Sequence, residues 1–516
     1  MKKMKKIVSV LLAMVMVFAM TTTAFAAKDT THTITITNET KNHTYEAYQV
    51  FVGNITGNPA KLTDLDWGSG VNGEELLKEL KSNEAYRDCV SAKDVAGVLE
   101  GFDDNSKELD YFAKIVVKHL TEIKATSTET ESPYSIQVTG DGYYFIKDKD
   151  NSVTAAGDSY TKFMLRVVKD VEVAAKDGTV ISEKKVDDKN DSNTSEDEVE
   201  WQDSADYDIG DDVPFQLKAT LPPNYSNYST YKLTFHDKES KGLTFDEDSV
   251  KVYIDGQEIS SGFRVVTSGL TDDCTFEVHF DNLKETAAKN NSVITVEYTS
   301  KLNALADLGM PGNSNTMHVT YSNNPNDEQG GEEGKTPDDT VIVFTYETII
   351  NKVDNDGNAL TGAEFILEKK MANGTWEEIA VVKNDAGTIF TFTGLDDGLY
   401  RLTETTTPAG YNTIDPIYFE ITAEHEVSSD NPALTRLSAT QKKDDSGAAL
   451  DTGVVATFAA TCTSEDGTIE SNIVNQSGAT LPETGGMGTT LFYIIGSILV
   501  LGAVVVMITR KRMSTK

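Results

Sequence analysis

Polar and apolar residues alternate with a period of two along most of this chain, the pattern of strands that bury one face and wet the other. Ile34 and Ile36 alternate with threonines, and Tyr45 to Val52 is a second strand-like run. The period then lengthens to that of a helix. Glu74 to Leu80 predicts a short helix, and Ser91 with Asp94 forms a capping box for the next. After Ser106, the positions Leu109, Phe112, Ala113, Val116, Val117, Leu120 and Ile123 make one apolar helical stripe, which belongs to a core. Gly140-Asp141-Gly142 turns the chain between the apolar runs 136–138 and 143–145, and Phe163 to Val173 closes this mixed region as strand.

From Ile181 to about Tyr346 the pattern is all-β. Alternating runs at 181–186, 215–219, 232–235, 250–254, 276–278, 293–298, 317–321 and 341–346 are separated by turn residues, and the acidic, Gly-rich stretch Asn326 to Thr336 reads as a solvated loop. A sandwich of about 160 residues is the natural solution. Asp354-Asn355-Asp356-Gly357 is then a turn between two further strands. The expected fold is mainly β, with tandem immunoglobulin-like β-sandwich domains behind an α+β N-terminal domain. The segments are 27–176, 177–346 and 347–478, in line with the roughly 150 residues per domain that length alone suggests.

Both ends depart from the alternation. Lys2, Lys3, Lys5 and Lys6 precede an apolar run from Ile7 to Met20, and Ala24-Phe25-Ala26 offers small residues for cleavage, so 1–26 reads as a secretory signal peptide. At the other end, Leu491 to Ile508 is an apolar run of 18 residues followed by Arg510, Lys511, Arg512 and Lys516. At about 1.5 Å rise per residue, a helix of that length just spans a bilayer core, and the basic cluster holds its far end in the cytoplasm.

The formal charge is −36, and removing the two basic end segments makes the remainder more acidic still. Such a surface repels nucleic acid and anionic lipid and suits a solvated extracellular rod. Cys89, Cys274 and Cys462 fall one to each third of the chain, which leaves no disulfide within a domain. The seven histidines are scattered without zinc spacing, and the turn at 354–357 lacks the glutamate of a calcium loop. No metal or cofactor is expected. No nucleophile elbow, HExxH or paired catalytic carboxylate motif marks a hydrolase, so the chain is not expected to be an enzyme.

Three residues of the second domain do not suit a plain sandwich. Lys184 shares a strand face with Val186, Asp237 follows Leu233 and Phe235 on theirs, and Asn315 shares its face with Met317, Val319 and Tyr321. Period-2 counting therefore turns an amine, a carboxyl and an amide inward. Buried unpaired charges are expensive, so this group must be neutral or reacted. Lys185, the alternative amine, points to the other face if Val186 is core.

Leu481-Pro482-Glu483-Thr484-Gly485, the apolar run and the basic tail together resemble the cell-wall sorting signal of Gram-positive surface proteins, 479–516 here. In that signal a sortase cleaves between Thr and Gly and passes the Thr carbonyl to an amine. Val171-Glu172-Val173-Ala174-Ala175-Lys176 resembles the pilin motif of sortase-assembled shaft pilins, with Ala174 and Ala175 where that motif has Tyr and Pro. Lys184, Asp237 and Asn315 resemble the triad of pilin domains that form a spontaneous isopeptide bond. Residues 350–354 and 360–367 resemble the start of a collagen-binding-protein type B module, and 399–405 with Pro408-Ala409-Gly410-Tyr411 resembles the pilin E-box. The resemblance implies a second triad of Lys352, Glu404 and Asn475. The stretch 435–464 is longer and more polar than that module requires.

The resemblance implies a shaft subunit of a covalent pilus in which Thr484 of one copy is joined to Lys176 of the next. Its implied partners are other copies of itself, pilus and housekeeping sortases, the peptidoglycan precursor or wall, and minor tip or base pilins. The implied place is the cell wall, after a transient membrane stage. A monomeric wall-anchored adhesin is the alternative, since adhesins share the export signals and crosslinked sandwiches. The motif at Lys176 separates the two.

Overall fold

The computed structural model describes residues 30–478, apart from 39, 58–60, 103–105, 156, 176–177, 190, 193–198 and 271, together with 499–501. The signal peptide expected at 1–26 lies outside these residues, as do Lys176, the Leu481 to Gly485 pentapeptide with Thr484, and all of the expected membrane run but 499–501. Among the described residues, no helix is long and apolar enough to cross a membrane. The chain divides into two compact units, one of 1–189, 195–345 and 424–435, the other of 190–194, 346–423 and 436–516. The segments expected as two domains on either side of Lys176 thus fall in one unit.

In the first unit, strand Thr31–Thr37 lies between Tyr134–Thr139, antiparallel, and Val171–Ala174, parallel. A second, five-stranded sheet is built on Tyr45–Thr56 and Gly142–Asp148. Phe51, on the former strand, stacks on Phe112 of helix Lys107–Lys118, and Leu76, Leu80 and Val95 of the two preceding helices close the same core. Each helix starts where the sequence offers a cap. Asn72, Ser91 and Ser106 accept hydrogen bonds from Glu75, Asp94 and Leu109 N.

Several expectations are corrected here. The helix ends at Lys118 because Asn72 N bonds to His119 O and Thr121 N to Gly70 O, which pulls the chain off the helix axis. Leu120 then bridges Val71, and Ile123 is left exposed. The turn at Gly140 to Gly142 forms where expected, and the strands it joins belong to different sheets. The run 163–173 is likewise two strands, Lys162–Val167 and Val171–Ala174, one in each sheet.

Residues 181–344 form two seven-stranded sheets around one apolar core. The first sheet runs in the spatial order 201–202, 181–187, 212–220, 293–302, 251–254, 257–259, with 243–245 also paired to 293–302, and the second 204–206, 339–344, 313–322, 233–239, 276–280, 264–266, with 333–335 also paired to 313–322. The end of the acidic loop is not solvated: strand Glu333–Lys335 pairs with Asn313–Ser322. Thr336 is buried, because its hydroxyl oxygen accepts from Val319 N and Ser182 Oγ. The expected strand 341–346 ends at Phe344, and Tyr346 opens the first strand of the second unit.

In the second unit, strand Tyr346–Val353 lies between Ile389–Leu395, antiparallel, and Thr468–Val474, parallel. Phe365 of the facing sheet packs edge-on against Phe390. The turn after Val353 forms as expected, with Asp354 Oδ1 accepting from Asp356 N and Asn358 N. Within 435–464, residues up to Lys442 belong to strand Leu434–Lys442 beside Ile417–His425, with Leu437 buried, and further on Phe458 is buried and stacks on Phe419 at 4.3 Å.

Candidate crosslink sites

Lys184 sits on strand Ile181–Asp187 opposite Leu217, with Val186 on the same buried face. Asp237 and Asn315 come from neighbouring strands of the other sheet, where Asp237 pairs with Met317 and Asn315 with Val341. All three side chains are wholly buried. Lys184 Nζ lies 2.5 Å from Asp237 Oδ2. The sequence-derived faces are thus brought together across the interior of the sandwich. Lys185 instead forms an ion pair with Asp203 and stays half-buried.

Sequence reasoning missed Tyr298, although Ile294, Val296, Tyr298, Ser300 and Leu302 form one inward alternation that could have shown it. Its hydroxyl is the hub of the site. It receives Lys184 Nζ at 3.0 Å and Asn315 Nδ2 at 2.8 Å, and donates to Asp237 Oδ2 at 3.0 Å. The ring of Phe215 lies 5.3 Å from Lys184 Nζ. Burial lowers the lysine pKa and raises that of Asp237, so the interior favours a neutral amine beside a protonated acid. Burial also pushes Glu239, cross-strand from Asn315, up to about 7.

Lys352, Glu404 and Asn475 meet in the second unit on a different plan. Lys352 is paired with Ile473 in the parallel ladder, and its Nζ donates to Ile473 O at 2.8 Å. Asn475 follows that strand and donates through Nδ2 to Glu404 Oε2 at 3.1 Å. The same oxygen accepts from Thr407 Oγ1 and Ile414 N, both supplied by the chain just after strand Gly398–Thr406. Burial brings Lys352 down to about 8, against the pull of the Glu404 charge.

The two sites share one detail. In each, the acid has one oxygen with partners and one buried oxygen without, namely Asp237 Oδ1 and Glu404 Oε1. In each, the asparagine amide nitrogen donates while its buried carbonyl oxygen has no partner, at Asn315 Oδ1 and Asn475 Oδ1. Orphaned buried acceptors cost about 1–3 kcal/mol apiece. At Asp237, whose pKa burial raises, a proton on the acid and a polarised amide carbonyl is a chemical arrangement that would satisfy them.

Buried lysine, acid and asparagine inside β-sheet domains, in a chain that carries an LPXTG pentapeptide, define a wall-anchored surface protein of modular β architecture. Residues 473–514 match the LPXTG cell wall anchor motif. Residues 347–433 match the SpaA family model, a prealbumin-like fold domain. The trypsin-resistant surface T6 protein of Streptococcus pyogenes serotype M6 is 25% identical over 361 residues, covering 59% of this chain and 65% of that protein, just under two thirds of its length. Among solved structures, the T6 backbone pilin of S. pyogenes superposes with a TM-score of 0.49 at 17% identity, over 88% of this chain and all of that one. The major pilin SpaD of Corynebacterium diphtheriae gives 0.45 at 15% identity, over 87% and 98%.

Proposed function

We propose that the chain is the shaft subunit of a Gram-positive pilus, a structural protein rather than an enzyme. A sortase joins Thr484 of one copy to Lys176 of the next, and the polymer ends covalently attached to peptidoglycan. In this reading 27–176 is an α+β pilin domain ending in the linkage lysine, 177–346 an immunoglobulin-like sandwich, and 347–478 a type B sandwich. Its partners are further copies of itself, pilus and housekeeping sortases, the wall precursor, and minor tip or base pilins. The observation that carries it is the double occurrence of the buried lysine, acid and asparagine site in a chain bearing the wall anchor motif. A shaft under load has to resist unfolding without disulfides. Resemblance to a trypsin-resistant surface protein supports the same picture.

In each site the neutral lysine amine attacks the asparagine side-chain carbon while the acid, protonated in the case of Asp237, assists at its carbonyl oxygen. The C–N bond to lysine forms and the bond to the amide nitrogen breaks. Ammonia leaves, carrying the amine proton, and the acid ends the cycle as it began. No external enzyme is needed, because both partners are held at very high effective molarity.

Polymerisation is tested by boiling a wall extract and probing it on a denaturing gel. A ladder of covalent multimers, lost when the partner pilus sortase is deleted, is expected. A single monomer-sized band would favour the adhesin instead.

A further inference from the structure

Ser204 and Asp206 are two residues apart on the short buried strand Ser204–Asp206 and so share a face. Toward that face the first unit brings His425, at the end of strand Ile417–His425, and Asp188, just past Ile181–Asp187. The His425 side chain is only 7% exposed. Ser204 Oγ makes two contacts at 2.8 Å, one with Glu426 O and one with His425 Nδ1. A hydroxyl has a single proton. It goes to the carbonyl, which can only accept, so Ser204 must accept from Nδ1–H.

That assignment leaves His425 Nε2 as the ring's free donor atom, and Nε2 faces two carboxylates. Asp188 Oδ2 is 3.7 Å away and Asp206 Oδ1 3.9 Å. Both lie beyond hydrogen-bond reach. Three other histidines close to contact with a carboxylate: His32 to Asp141 at 2.8 Å, His43 to Asp148 at 2.8 Å and His119 to Glu79 at 2.7 Å. The gap at His425 has the size of an ion. Two donors each about 2.1 Å from a common metal, subtending about 110–130°, stand about 3.4–3.8 Å apart. Asp188 Oδ2 is steadied by Gln202 Nε2 at 2.6 Å, and Ser204 orients the imidazole, the outer-shell support that metal ligands have.

We propose that His425 Nε2, Asp188 Oδ2 and Asp206 Oδ1 bind a divalent first-row transition cation of the zinc type, which clasps the 424–435 segment onto strand Ser204–Asp206. The imidazole selects against calcium and magnesium, which take oxygen donors. The site is independent of sortase linkage and of both lysine sites.

The test titrates ZnCl2 into the full-length chain, stripped with EDTA in detergent, by calorimetry, with CaCl2 and MgCl2 as controls. One zinc site is expected, weakened at least 100-fold in His425→Gln and about 10–100-fold in Ser204→Ala, which removes the orienting contact and the bond to Glu426 O but no metal ligand. Zinc should also slow hydrogen exchange in 203–206 and 424–435. Cys274→Ser, at the other histidine-bearing cluster formed by His236, Asp272 and Cys274, should change none of this. Should His425→Gln fail to fold by circular dichroism, Asp188→Asn, at a partly exposed position, must still weaken zinc at least tenfold. Zinc affinity unchanged in the folded variants, no zinc site at all, or zinc held no more tightly than calcium would each overturn the proposal.

Discussion

Two clusters in the first unit each bury a basic side chain beside carboxyl groups, and they solve the problem of burial in opposite ways. At His43, Nδ1 contacts Asp148 Oδ1 at 2.8 Å and Nε2 contacts Asp158 Oδ2 at 3.1 Å. Every remaining carboxylate oxygen is satisfied by backbone, Asp148 Oδ2 by Thr161 N and Asp158 Oδ1 by Ser159 N. Against its burial, hydrogen bonds donated to both carboxylates hold the histidine up at about 10, so it stays charged. At Lys184 the balance falls the other way, with burial dominating both partners and two oxygens orphaned. A fully satisfied buried ion pair is an end state. In the function proposed above, an unsatisfied amine and acid with an amide in the same contact network are reactants.

The contrast is broken or sharpened most forcefully at the lysine sites. The purified extracellular chain should weigh less than its sequence by two ammonia molecules, and Asp237→Ala or Glu404→Ala should each restore one. For a crosslink that closes a loop of roughly 120–130 residues, the chain-entropy model gives about 5 kcal/mol lost with each bond, a model-dependent figure. An unreacted wild-type mass, read by intact mass spectrometry, would sink the assignment. Under tension between Lys176 and Thr484, the wild type should show no unfolding step from either sandwich, and each variant should add one.

At the ionic cluster the expected loss is somewhat smaller and wholly reversible. His43→Gln strands two buried carboxylates and should cost about 3–5 kcal/mol without any change in mass. The pH response has a definite sign. A histidine whose folded pKa is raised from 6.5 to about 10 contributes stability that is complete below 6.5 and is lost as pH rises through 10. Hydrogen exchange in Tyr45–Thr56 and Gly142–Asp148 should therefore accelerate across that window in the wild type and much less in His43→Gln. Equal acceleration in both would remove His43 from the account.

A subtler effect is expected from the hub tyrosine. Tyr298→Phe removes a hydroxyl that orders the amine, the acid and the amide, and should slow the Lys184 to Asn315 reaction about 10–100-fold, the kinetic equivalent of 1–3 kcal/mol. The Lys352 to Asn475 reaction, which has no tyrosine between acid and amide, should not change. In refolding followed by peptide mapping, that second reaction should speed up about tenfold per pH unit below 8 and level off above it, where Lys352 is already neutral. Equal slowing of both bonds in Tyr298→Phe would mean that the residue acts only through the fold.

Alternation alone was enough to turn Lys184, Asp237 and Asn315 inward, because a strand's period of two leaves a residue only two directions. It also separated Lys184 from Lys185, whose side chains the structure places on opposite faces. Helix starts were legible for the same local reason, since a cap satisfies its own neighbours. Helix and strand ends were less so. Ile123 continued the apolar stripe by spacing, yet bonds from Asn72 N to His119 O and from Thr121 N to Gly70 O ended the helix first.

What the sequence by itself determined is therefore everything that depends on near neighbours: the strand faces, the caps, the apolar run and basic tail of the sorting signal, and the residue types of both triads. Only the tertiary structure decided which strands became neighbours. It put the strands on either side of Gly140 to Gly142 into different sheets, laid Tyr346–Val353 parallel to Thr468–Val474, and set Tyr298 among three residues far from it in sequence. It also placed His425 against Asp188 and Asp206, where scattered histidines had offered no metal spacing. The physical reason is that sheet partners are chosen by the packing of a whole core, to which each residue adds little, whereas a face or a cap is chosen by a few residues that already touch.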